Sequence, residues 1–218
     1  MMKGFAAELS DELRAGILAD LPEIDLIADE ALRRQTTDAW AIALSSSSFR
    51  RVRDIPGEAT PGSLILKEGG QDLHLRGVTR LAVGHLDYFA GAFPQAEIDR
   101  DIVIAGGICH DVGKTFEFDP ENQRRWNADG SRYGWPSLRH PIYGAHVCLL
   151  AGLPESVAHI AACHSPEGNN VRRSLECIVI HEADVAWWRI AAASGLVRPE
   201  TLTPEFARMF DPRPLRAA

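Results

Sequence analysis

The dipeptide His110-Asp111 constrains this chain more than any other feature, because it sets a nitrogen ligand beside an anionic oxygen ligand directly after the apolar run Ile102 to Cys109. Imidazole and carboxylate groups carried into a helical core are costly unless something there satisfies them. His74 precedes the pair, and His140, His164 and Asp184 follow it, each in its own apolar stretch. Residues of these types, spread over successive helices, have the pattern of a metal site assembled between helices.

Periodicity supports a helical frame. Apolar residues recur every three to four positions over about residues 73–93, 100–114, 140–151, 155–163 and 173–193, which predicts five helices carrying the candidate ligands. Ser10, with Glu12 and Leu13 after it, opens an earlier helix, and residues 24–32 and 40–44 continue the helical pattern. Residues 45–70 hold a serine run, Pro56-Gly57 and Pro61-Gly62, and read as an irregular connection with a short extended piece at Leu64-Ile65-Leu66. No segment alternates apolar and polar residues long enough to predict a strand. The fold class expected is all-α: an N-terminal helical extension and linker over 1–68, a metal-binding helical domain over 69–200 and a C-terminal tail over 201–218. A polar insertion over 116–138, with Trp126, Tyr133 and Trp135, is too long for a turn and is the expected cover of a site.

Composition narrows the partners. At 218 residues and 45% apolar content the chain can build one ample core, and its net charge of -7 argues against an extended nucleic-acid surface. A small anionic substrate is favoured. The first twenty residues lack a basic segment followed by an apolar run, and no later run reaches the length of a membrane span, so a cytoplasmic protein without a membrane partner is expected. Cys109, Cys148, Cys163 and Cys177 form no CxxC pair and are expected as reduced core thiols.

The ligand set expected is His74, His110, Asp111, His140, His164 and Asp184. Each imidazole binds one ion, whereas a carboxylate can bridge two, so the set suits one or two divalent ions (manganese, iron, magnesium, nickel, cobalt or zinc) with Asp111 as the bridge. His85, eleven residues beyond His74 and on the same helical face, is the alternative first ligand. Lys114 reads either as a fixed positive charge for a phosphate oxygen or as a helix C-terminal lysine answering the dipole. Arg139, and Arg172 with Arg173, are candidate substrate contacts, and Glu167 a candidate for orienting water or substrate. His181 reads as a satisfied core histidine ahead of a partner behind a ligand or an alternative ligand, His146 and His159 as packing or surface residues, and Gly106-Gly107 as a site of close helix packing.

Taken together, these residues resemble the HD-domain metalloprotein superfamily. His110-Asp111-Val112-Gly113-Lys114 is similar to its HDxGK signature, His140-Pro141 with Gly144 to its HPxxG helix, His74 with Val78 and Ala82 to its first helix, and Ala183-Asp184 to its terminal Ala-Asp. Gly69-Gly70 and Glu117 look closest to the branch that contains certain bacterial 3'-5' exoribonucleases. The resemblance covers about residues 69–188 and leaves the first 68 unmatched. At Cys163-His164-Ser165, where some members carry paired histidines, only His164 is present. It implies a helical HD domain and a metal-dependent phosphohydrolase that cleaves a phosphate ester of a nucleotide or other small metabolite, with Asp111 and Lys114 catalytic and a homodimer among the partners. Members with two irons are oxygenases that cleave carbon-carbon or carbon-phosphorus bonds, which supplies the alternative class; a non-catalytic regulatory module is the third.

Overall fold

The computed structural model describes residues 9–204 and Phe206. The greater part of the C-terminal tail expected over 201–218, and the first eight residues of the N-terminal extension, lie outside the described residues. Ser10 caps helix α1 (Asp11–Asp20) by accepting from the Leu13 amide, as its position ahead of an acidic first turn predicts. The helical pattern over 24–32 is broken: a short 3-10 turn spans Pro22–Leu26, and α2 (Glu30–Ser45) starts afresh. The break has a local cause. The Asp29 carboxylate accepts from the Ala31 and Leu32 amides, while Asp101 takes the amides of Ala28 and Asp29, so the backbone has better partners than a continuing helix.

The connection expected to be irregular contains a two-stranded antiparallel hairpin, β1 (Pro56–Thr60) and β2 (Ser63–Gly70). Gly62 turns the chain at φ 80° while its amide is held by the Glu58 carboxylate. Only Leu64 and Leu66 give the strand an apolar face, packed on Trp188, Ala191 and Val197, and two positions are too few to register as alternation. Then follow α3 (Gln71–Ala92), α4 (Arg100–Cys109), α5 (Lys114–Glu117), α6 (Pro120–Ala128), α7 (Gly130–Tyr133), α8 (His140–Leu150), α9 (Glu155–Cys163) and α10 (Leu175–Ala193). The expected insertion over 116–138 is therefore largely helical, and Trp126, for which loop packing is the plainer account beside a covering role, is 1% exposed and packed beneath Phe116.

Helix α4 is the axis of the molecule, packed against α2, α3, α9 and α10 and buried throughout Val103 to Cys109. Its paired glycines let the neighbours approach: a Cβ on Gly106 would lie 2.4 Å from Ile160 Cδ1, and one on Gly107 2.7 Å from Thr79 Oγ1. The same core takes in the N-terminal segment. Trp40 of α2 is fully buried with Ile104, Ile108 and Val147, and its indole donates to the Ile108 carbonyl at 3.1 Å. Packing thus crosses the division drawn at residue 69. All four cysteines are free and buried. Among the described residues no helix is long and apolar enough to cross a membrane.

Candidate metal centre

The helix expected over 100–114 ends at Cys109, and the His-Asp pair lies in a tight turn beyond it, with Val112 donating to Cys109 and Lys114 to Asp111 through backbone amides. Unwinding here lets two consecutive side chains face one point, which a straight helix resists because neighbours differ by about 100°. Gly113 holds the turn against α8. A Cβ there would meet the His140 carbonyl at 2.0 Å and the Gly144 amide at 2.6 Å, so the glycines of the two motifs serve one contact.

His74 from α3, His110 and Asp111 from the turn, His140 from the first residue of α8, His164 from the end of α9 and Asp184 from α10 come together. Three overlapping groups, His74–His110–Asp111, His110–His164–Asp184 and Asp111–His140–His164, each have ligand atoms within 4.8 Å of one another. The two oxygens of Asp111 divide the set. Oδ2 lies 3.2 Å from His74 Nε2 and 3.4 Å from His110 Nε2, and Asp184 Oδ1 is 3.3 Å from that same His74 nitrogen. Oδ1 lies 3.2 Å from His140 Nε2 and 3.5 Å from His164 Nε2. All but Asp184 are at most 3% exposed; the Asp184 side chain, at 17%, is the open edge.

The chemistry of these donors fits a cation. His110 Nδ1 donates to the Gly107 carbonyl at 2.7 Å, His140 Nδ1 to Glu117 Oε2 at 2.5 Å, and His164 Nδ1 to the carbonyls of Ala161 and Ile160 at 3.1 and 3.2 Å. With their protons committed outward, the neutral rings turn Nε2 lone pairs toward carboxylate oxygens, an acceptor-to-acceptor contact that a positive ion converts into coordination. Asp184 Oδ1 and His74 Nδ1 are buried without a hydrogen-bond partner among the described residues. Burial keeps His140 below the ordinary histidine pKa, favouring its neutral form. Burial alone would raise Asp111, but its charged neighbours, led by the Lys114 ammonium, hold the carboxyl well below its usual range.

The neighbouring residues refine the expectations. His85 is exposed, eleven residues along α3 and so roughly 16 Å from His74. Lys114 is not a C-terminal lysine: it opens α5, is 1% exposed, and sets its ammonium 2.8 Å from Asp111 Oδ2 and 2.6 Å from the Glu58 carbonyl. Arg139 is engaged by Glu117 and Glu167, and Arg172 lies exposed beside a hollow lined with Glu155, His159 and Ser174, none of them a candidate ligand. Glu167 holds Arg139 and the Ser165 hydroxyl. His181 stands behind a ligand, donating from Nδ1 to the His164 carbonyl at 2.5 Å. His146 is exposed, and His159 accepts from the Ser174 amide.

Two residues escaped the reading of roles. Glu117, fully buried, holds both the ring and the amide of His140; the family resemblance marks it in the sequence but assigns it no role. Gln71, also fully buried, donates from Nε2 to Asp111 Oδ2 at 2.6 Å, and nothing in its local sequence points to a residue forty positions away. Trp187 and Trp188 flank the His74 ring at 4.7 and 4.9 Å between centroids, with Gly77 making room for the Trp187 indole.

Comparison with known proteins agrees with this arrangement. The HD domain matches residues 72–186, just over half of the chain. The dihydroneopterin 2',3'-cyclic phosphate phosphodiesterase of Methanocaldococcus jannaschii is 28% identical over 164 residues, covering 73% of this chain. The match spans 64% of that relative's own length. No solved structure matches the chain.

Proposed function

The chain belongs to the HD domain family, and from that premise we propose that it is a metal-dependent phosphohydrolase cleaving a phosphate ester of a nucleotide or other small metabolite. In this reading His74, His110, Asp111, His140, His164 and Asp184 hold one or two divalent ions. The observation that carries it is the division of imidazoles between the two oxygens of Asp111, which suits a carboxylate bridging two positions. Such ions, when bound, supply Lewis-acid stabilisation of phosphoryl oxygens and a water of lowered pKa.

The protein's own groups take separate parts. Glu117 and the backbone carbonyls fix the tautomers and directions of three imidazoles before any ligand arrives. Lys114 sets its ammonium at Asp111 Oδ2, where it would offset negative charge that a nearby phosphoryl group gains as its ester bond breaks. Beyond Lys114, its neighbours Glu58 and Phe118 also line a hollow of about 280 Å³ with Gln123 and Trp135. Arg139 is left out of substrate binding, because two carboxylates already hold it, and Arg172 because it lies beside another hollow. The relative's activity favours a phosphodiester, including a cyclic one, over a monoester.

The test is elemental analysis of the natively purified protein, followed by a panel of bis(4-nitrophenyl) phosphate, nucleoside 2',3'-cyclic phosphates and phosphomonoesters. Diester cleavage that a chelator abolishes and Mn²⁺ restores is the expected result. Two irons per chain, oxygen consumption and no ester cleavage would replace this reading with the oxygenase; failure to bind metal after reconstitution would leave the regulatory module.

A further inference from the structure

Gln71 lies one residue before the region matched by the HD domain, yet it reaches the atom on which the centre turns. Its amide nitrogen is 2.6 Å from Asp111 Oδ2, inside the protein, and its other polar atom, Oε1, is buried with no hydrogen-bond partner among the described residues. Because the carboxylate can only accept, the amide must present its NH2 there, which commits Oε1 to face elsewhere. The two atoms share one carbon, so Oε1 lies within roughly 5 Å of Asp111 Oδ2. An orphaned buried acceptor is costly, so Oε1 stands out beside an Nε2 that is bonded to Asp111.

The backbone places Gln71 through the hairpin. Its amide donates to the Ile55 carbonyl at 3.0 Å, the preceding Gly70 pairs with Pro56, and a Cβ on Gly70 would meet the Arg53 carbonyl at 2.1 Å, so only glycine lets the strand close this tightly before α3 begins. The same hairpin holds the second donor on Asp111 Oδ2, since Lys114 is anchored on the Glu58 carbonyl of β1. Both donors to that oxygen therefore depend on residues 56–71.

We propose that Gln71 is a positioning residue of the centre: Nε2 fixes the bridging oxygen of Asp111, and Oε1 accepts a hydrogen bond from the water that attacks phosphorus. The inference rests on the metal-centre reading above and extends it to a segment ahead of the family's ligand motifs. A purely structural glutamine would support the fold without affecting metal or turnover.

The experiment uses the full chain and Gln71→Met, which conserves size and removes both polar atoms, with Gln71→Glu restoring an acceptor but no donor. Mn²⁺ affinity by calorimetry, the melting temperature of chelated protein, and kcat and KM for bis(4-nitrophenyl) phosphate at saturating Mn²⁺ are read together. Gln71→Met should weaken Mn²⁺ binding by about tenfold or more, leave the chelated melt within a few degrees, and lower kcat by about tenfold or more with KM nearly unchanged. Gln71→Glu should recover part of kcat. Unchanged Mn²⁺ affinity and kcat, or a fall in the chelated melt that accompanies both losses, would overturn the proposal. If the native chain binds Mn²⁺ but cleaves no ester, the hydrolase reading fails and with it the role of Oε1, while the Mn²⁺ comparison still decides the role of Nε2.

Discussion

Asp20 and Glu23 are buried as deeply as Asp111, yet each is closed by a pair of arginines. Asp20 is held by Arg51 and Arg53, and Glu23 by Arg76 and Arg80 at 3.1 and 2.7 Å. These pairs tie the end of α1 and the 3-10 turn after it to the segment just before β1 and to α3. Around Asp111 and Asp184 the neighbours are mainly imidazole nitrogens whose protons point away, while among the described residues Gln71 and Lys114 donate to Asp111. Buried charge alone therefore does not mark a site. What distinguishes the second cluster is its excess of acceptors over donors, a deficit that a cation fills.

The widest separation between the clusters should come from removing a carboxylate from each. Asp111→Ala should lose bound metal by elemental analysis and, with it, diester hydrolysis by about 1,000-fold or more, because the shared ligand is gone. A variant that retains its metal would break the comparison. Glu117→Gln tests how much the outward hydrogen bonds matter: Mn²⁺ affinity measured by calorimetry should drop by roughly 10- to 100-fold as His140 loses the carboxylate that orients it. Asp20→Asn should behave oppositely, losing about 2 kcal/mol in urea unfolding while metal content stays at the native level, since its arginines are partly exposed and recover water as a partner.

The smallest effect concerns acid. Burial pushes Glu167 up, but the Ser165 hydroxyl and Arg139 outweigh it and hold it at about 2, below its ordinary 4.5. A depressed folded value means that its contribution is complete above pH 4.5 and disappears as pH falls from there toward 2. Glu167→Gln should therefore flatten the dependence of melting temperature on pH across that window in chelated protein, and an unaltered slope would remove Glu167 from the acid response. Asp20, held down by Arg51 and Arg53 against its burial, acts in the same direction below its ordinary 3.8.

The candidate ligands were legible because each lies in, or directly after, a helix whose apolar periodicity is strong. Val78 and Ala82, four and eight residues past His74, both face the core, which is why the first-ligand pattern is readable along α3. The hairpin was not legible, because two buried leucines carry its apolar face and its pairing is completed by distant Val197. Nor was the helical character of 116–138, where polar residues dominate α6 and Trp126 supplies the one fully buried side chain of that helix.

The sequence by itself determined the helical class, the residues able to bind metal and the glycines at which helices touch, since these follow from periodicity, side-chain chemistry and the absence of a Cβ. Tertiary structure decided which histidine of α3 belongs to the cluster, that Arg139 is bound by two carboxylates, that Lys114 pairs with Asp111, and that Gln71 crosses to the same oxygen. The reason is distance: hydrogen bonds and coordination act over a few ångströms between residues far apart in the chain, and only the packing of α3, α4, α8, α9 and α10 around one point sets those separations.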